Sequence, residues 1–188
     1  MIGKSKIIRK PAILFLTLLI FITCLQFSAH ASILPAGTKA PAFKVTSGDN
    51  LQMSLDMLQG RVIMLFYENK DVVEKNRKLK NTLLAFEKAQ TSAKQNILVG
   101  LPVIDCSGAF FPFTGVWKQQ LVQATKKEGL IIYGDWDGKV KSAYQAIDKD
   151  SNFFLIDQSG IIRYSLSGQA DSNDINAVLK IIKQLLKW

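Results

Sequence analysis

Two cysteines, one histidine and fifteen carboxylates are the groups in this sequence that could form a covalent bond, hold a metal or move a proton. Their placement removes most of those options. Cys24 and His30 fall inside a pattern typical of an export signal. Lys4, Lys6, Arg9 and Lys10 make a basic start, Ala12 to Phe27 an apolar run, and Ala29-His30-Ala31 a small-residue cleavage site. The run is shorter than the ~20 residues of a membrane-spanning helix, so cleavage after Ala31 is expected, with residues 32–188 as a single domain. Cys24 reads as one apolar residue of the run, because Ile22-Thr23 is a poor acylation context.

Cys106 is then the last sulfur nucleophile. It follows an apolar strand pattern, at the edge where α/β folds place ligands. It reads either as a one-thiol redox site or as a small buried apolar residue. No second cysteine resolves it and no histidine activates it. Asp105 beside it acts to raise the thiol pKa, the wrong direction for a nucleophile.

The carboxylates offer two metal-like clusters, Asp135 with Asp137, and Asp148 with Asp150 and Asn152. A calcium loop starting at Asp148 would need Gly at its sixth position and a Glu at its twelfth. Those positions hold Phe153 and Ser159, so no metal is expected, and no cofactor. Glu68 and Asp71 read as partners for Lys70, Lys75 or Arg77 around a helix start. Loss of four basic residues with the signal lowers Lys+Arg from 24 to 20 against 15 Asp+Glu, about +5 in place of +9. That modest charge gives nucleic-acid binding little support.

Alternating apolar runs and amphipathic stretches imply an α/β fold around one sheet. Strands are expected at Phe43–Thr46 and Leu51–Met53, joined as a hairpin across residues 47–50, and at Arg61–Tyr67, whose continuous apolar run suits a central strand. Ser54 would cap a helical turn to Leu58. Asp71, with Glu74 three residues on, would cap a helix running to about Thr91. Further strands are expected at Asn96–Ile104 and Leu130–Tyr133, and helices at Gly115–Glu128, capped by Thr114, and Lys139–Ala146. A hairpin of Asn152–Asp157 with Ile161–Ser165 and a helix over Asp171–Lys187 close the chain. The order β-β-β-α-β-α-β-α-β-β-α implies a mixed sheet with helices on both faces.

This order and three segments, "AGTKAPAF" at 36–43, "LQGRVIMLFY" at 58–67 and "FFLIDQSGIIRYSLSG" at 153–168, resemble the thioredoxin-like superfamily, particularly its redoxin branch. A closer resemblance is to the YtfJ family of exported thioredoxin-fold proteins. It is carried by Lys75, Asn76 and Leu79, by Ile104 and Asp105, by "DWDGKVKSAY" at 135–144 and by Ile156 to Gly160. The resemblance implies central parallel strands, an antiparallel C-terminal hairpin and a redox dithiol at the start of the first long helix, near Val72, Val73, Glu74 and Lys75. That site holds no cysteine. The proline expected before the penultimate strand falls near Ser151 and is also missing. A peroxiredoxin thiol would fall near Lys75 or Asn76, beside Arg77, and is absent too.

The expected function is an exported, periplasmic or secreted binding module for a protein or peptide, with no membrane contact after signal cleavage. Its binding surface would run from Asn69 and Asp71 through Cys106, Phe110, Phe111 and Phe113 to Ser151. Two alternatives stand beside it: a thiol protein using Cys106, and a DNA-binding regulator retained in the cytoplasm. The sequence leaves the oligomeric state open.

Overall fold

A computed structural model describes residues 33–187; the expected signal, residues 1–31, lies outside the described residues. Strand β3 (Val62–Glu68) organises the fold. Every residue of VIMLFYE is buried, so both faces need covering and both edges need partners. Strand β4 (Leu98–Asp105) pairs with it in parallel and β6 (Asn152–Ile156) antiparallel, with Leu65 opposite Leu101 and Phe154. Four more strands complete one sheet: β1 (Lys44–Ser47), β2 (Gln52–Ser54), β5 (Tyr133–Asp135) and β7 (Ile162–Ser167). Their order is β2-β1-β5-β4-β3-β6-β7. The β3–β4 and β4–β5 pairs are parallel and the others antiparallel.

The period-two alternation of β3 splits the core. Val62, Met64 and Phe66 pack under helix α1 (Arg77–Lys88) and helix α5 (Ser172–Leu185), against Leu79, Leu83, Val178 and Ile182. Ile63, Leu65 and Tyr67 face the opposite layer, with Val45, Phe154, Tyr144 and Val140. That layer includes the short helix α4 (Lys139–Ala143). Helix α2 (Ser92–Gln95) precedes β4, and α3 (Thr114–Glu128) connects β4 to β5. Pro102 is tolerated in β4 because β5 pairs only with Val103–Asp105, leaving Pro102 opposite β3 alone.

The mixed α/β sheet with its antiparallel C-terminal hairpin is as expected, but several boundaries are corrected. Asp71 does not cap α1. Its own N–H is held by the Asn69 side chain at 3.0 Å, residues 69–75 run as turns, and the helix begins at Arg77 after Asn76. Glu74 turns to Arg77 instead of closing a capping box. The helix ends at Lys88, short of Thr91. Ser54 lies in β2 and Thr114 inside α3, and neither helix start carries a side-chain cap. Strand β5 lies further along than the apolar run Leu130–Tyr133, because its pairing partner is the end of β4, with Asp135 opposite Asp105. At α5 a full capping box is formed, which the sequence reading did not assign. Asp171 accepts from Asn173 and Asp174 N–H, and Asp174 accepts from Asp171 N–H.

Candidate functional site

The place implied for a dithiol, Val72 to Lys75, sits in the turns before α1. Beneath it lies a sulfur-free polar network. Glu68, the last residue of β3, is buried with its carboxylate paired to Lys80 Nζ at 2.6 Å. Ser151 Oγ donates to the second Glu68 oxygen at 2.5 Å. Lys80 also donates to the Val73 carbonyl at 2.8 Å, which holds the turn down on the pair. Asn76 donates to Ser151 Oγ and to the Gly168 carbonyl, and accepts from Ala170 N–H, each at 2.8 Å. Lys75 reaches Asp150 at 2.5 Å. Burial pushes the Glu68 carboxyl above the usual range, while Lys80 and Ser151 act in the opposite direction. The partner of Glu68 is therefore Lys80, three residues past the cations expected from sequence. Its spacing from Glu68 crosses a strand–helix connection, which periodicity alone does not resolve.

Cys106 is fully buried among Leu121, Ile132, Trp117 and Trp136. Burial first, then Asp105 and Asp135, push its thiol up to about 12. At neutral pH about one thiol in 10⁵ is then ionised, far below the fraction at a redox cysteine. Gly134 makes room for the sulfur: a Cβ there would lie 3.0 Å from Cys106 Sγ and 2.8 Å from the Trp136 ring.

The carboxylates read as metal-like are engaged by other groups. Asp137 pairs with Lys139 at 2.6 Å, and Lys141 spans Asp105 at 3.1 Å and Asp148 at 2.7 Å. Asn152 receives Ile147 N–H. Buried Asp135 accepts from Tyr67 OH and Lys141 N–H on one oxygen, while its other oxygen has no hydrogen-bond partner among the described residues. Burial raises its pKa. For Asp105, burial acts upward, but hydrogen bonds from Ser107 and Lys141 outweigh it and hold the carboxyl below its usual range. Among the described residues, no group of three or more acidic, cysteine or histidine side chains is arranged to hold a metal ion.

The expected binding surface is reduced. Cys106 and Ser151 contribute none of it, since both are fully buried. Asn69 and Asp71 lie in the turns after β3, with Asp71 exposed. The aromatic loop stands out from the protein: Phe110 is 65% exposed, Phe111 90% and Phe113 51%. Phe110 and Phe113 meet edge to face at 5.4 Å. From Ser107 to Trp117 the chain carries no charge. Beside this region, α1 and α3 stand apart over β3 and β4 and leave a trough of about 570 Å³. Sequence reasoning did not find that trough. The one signal for it was a glycine, Gly100, inside a strand otherwise read as buried.

Solved structures share this architecture at low identity. A Chlorobium tepidum protein described as a thiol:disulfide interchange protein DsbE matches with TM-score 0.60 and 21% identity, over 81% of this chain and 99% of its own. A thiol peroxidase from Chromobacterium violaceum matches with TM-score 0.59 and 12% identity, over 81% and 88%. The pneumococcal exposed lipoprotein thioredoxin from Streptococcus pneumoniae matches with TM-score 0.53 and 17% identity, over 77% and 100%. No protein-family model and no curated relative matches the sequence. The class defined by sheet order and helix placement is thioredoxin-like. Within that class, this chain has no C-x-x-C pair at the head of its first long helix.

Proposed function

We propose that this protein is an exported thioredoxin-fold binding module of the YtfJ type, which recognises a protein or peptide and performs no thiol chemistry. The observation that carries the reading is the Glu68–Lys80–Ser151–Asn76 network. It occupies the ground below the vacated dithiol position with groups that tie loops together and offer no nucleophile. The buried, weakly acidic Cys106 supports the same reading. The exposed aromatic loop supplies a surface for recognition, since contiguous exposed apolar residues mark interaction sites. Export rests on the N-terminal pattern. Among the described residues, no helix is long and apolar enough to cross a membrane.

Two measurements test the reading. Purified residues 32–188 should be inert in disulfide reduction, disulfide isomerisation and peroxide assays, and Cys106→Ser should match the parent. A turnover lost in Cys106→Ser would replace binding with one-cysteine catalysis. Affinity capture from the exported fraction should recover a partner, and a variant with serine at Phe110, Phe111 and Phe113 should lose it while keeping its far-UV spectrum.

A further inference from the structure

The sheet face under α1 is incompletely covered. Leu98 at the start of β4 packs into the α1–α5 cluster, and Cys106 just beyond the strand packs under α3. Between them Gly100, Pro102 and Ile104 lie on the same face of β4 and line the open trough. Met64 and Phe66 extend its floor, Leu84 of α1 forms part of one wall and Trp117 of α3 part of the other.

Gly100 is exposed although β4 is a central strand, and a Cβ built there would meet nothing within 4 Å. Glycine weakens a strand and often marks the close approach of another backbone or a ligand. No described segment makes that approach. The trough is lined by cations and carboxylates in equal number, with Lys70 exposed in the turn after β3. Lys80 is committed to Glu68, and Arg77 to Glu74 and Glu128. Glu87 is half-buried in the α1 wall, and its carboxylate makes no hydrogen bond or ion pair among the described residues. Burial raises its pKa and neighbouring Lys88 offsets that only in part, so an incoming cation would relieve the remaining cost. Asn81 and Gln120, on opposite walls, are exposed, and their carboxamides make no hydrogen bond among the described residues. A carboxamide offers both donor and acceptor, which matches peptide N–H and C=O groups and has no match along a lipid chain.

We propose that the trough is the docking site for an extended, apolar segment of a partner polypeptide, its backbone over Gly100 and one lysine or arginine paired with Glu87. This rests on the binding-module reading and specifies its site. From Arg77 to Glu87, α1 rises about 15 Å, room for about five extended residues at about 3.3 Å each.

The probe is an array of seven-residue peptides built from Val, Leu, Ile and Phe around a central Lys, norleucine or Glu, with hits measured by fluorescence anisotropy. Lysine peptides should bind about five-fold more tightly than their norleucine counterparts, the effect of roughly 1 kcal/mol, and glutamate peptides weakest. Gly100→Leu should fill the floor and lower affinity at least about ten-fold, while its urea midpoint stays at or above the parent's. Glu87→Gln should abolish the lysine preference and leave norleucine binding unchanged.

Absence of saturable binding by every series, or binding indifferent to Gly100→Leu, overturns the proposal. Saturable uptake of dodecylamine with no peptide binding also overturns it and assigns the trough to a small amphiphile. If partner capture still depends on the three phenylalanines in either case, the module reading survives and only the trough assignment fails. Loss of both rejects both.

Discussion

Lys80→Met tests whether the ground under the Val72–Lys75 turns is held by a paired buried charge. The substitution keeps an unbranched side chain one atom shorter and removes the ammonium 2.6 Å from Glu68. Breaking a buried pair from one side costs about 3–5 kcal/mol. Glu68 can limit that cost by taking up a proton. With an unfolded-state pKa near 4.3, neutralising it at pH 7 costs about 3.7 kcal/mol, at 1.36 kcal/mol per pH unit. The two routes set an upper bound of about 3–4 kcal/mol at pH 7, reduced by the cost the parent already bears for a carboxyl held above its usual range. The sign of the pH dependence follows. In the variant the folded-state pKa of Glu68 is raised well above its unfolded value, so the native state holds the extra proton. Stability therefore falls as pH rises above about 4.3 and recovers on acidification, with a penalty near pH 5 of about 1 kcal/mol. Arg77 is the other cation acting on Glu68, and it remains charged across this window. Urea unfolding between pH 5 and 8, with Glu68→Gln/Lys80→Met as reference, measures the difference directly. A loss below about 1 kcal/mol at pH 7, or a difference from the reference that does not vary with pH, refutes the claim that the carboxylate is held buried by its partner.

Native Cys106 should resist iodoacetamide at pH 7, with labelling that appears only as urea opens the fold. Labelling at the rate of an exposed thiol would contradict its burial. Gly134→Ala should destabilise by about 2 kcal/mol, because overpacking costs typically 1–3 kcal/mol and the new methyl meets both Trp136 and Cys106; calorimetry should show a lower Tm than for a Gly100→Ala control. Asp171→Ala removes the α5 cap and should cost about 1 kcal/mol, read as a shift in urea midpoint at constant slope.

The elements that sequence revealed best are those whose environment is uniform. Arg61–Tyr67 is apolar at nearly every position, and a strand buried on both faces demands that pattern. The closing helix over Asp171–Lys187 was likewise legible from its buried stripe of Ile175, Val178 and Ile182. The start of α1 was misplaced because Asp71 and Glu74 satisfy the local capping pattern. Competing bonds decide the outcome there: Asn69 takes the Asp71 N–H, Arg77 takes Glu74, and Asn76 is drawn to Gly168 and Ala170, over ninety residues away in sequence. Strand β5 was placed early for a similar reason. Hydrophobicity favours Leu130 and Ile131, whereas register favours Asp135, whose carboxylate receives Tyr67 OH and the Lys141 N–H. The trough between α1 and α3 has no local signature beyond Gly100, because a gap depends on how far apart two helices pack.

The anchoring of Asn76 makes dithiol chemistry hard to install here. Two cysteines placed at Val72 and Lys75 would stand in turns before the first helical residue, Arg77. The aligned N–H groups that lower a thiol pKa act chiefly within a helix's first turn. Moving that turn back to residue 72 would require releasing Asn76 from both Gly168 and Ala170, and Lys80 from Val73. A sulfur graft alone would therefore yield ordinary thiols on a redox-like frame. For a designer, the first change to make lies in the backbone ties, and the cysteines come second.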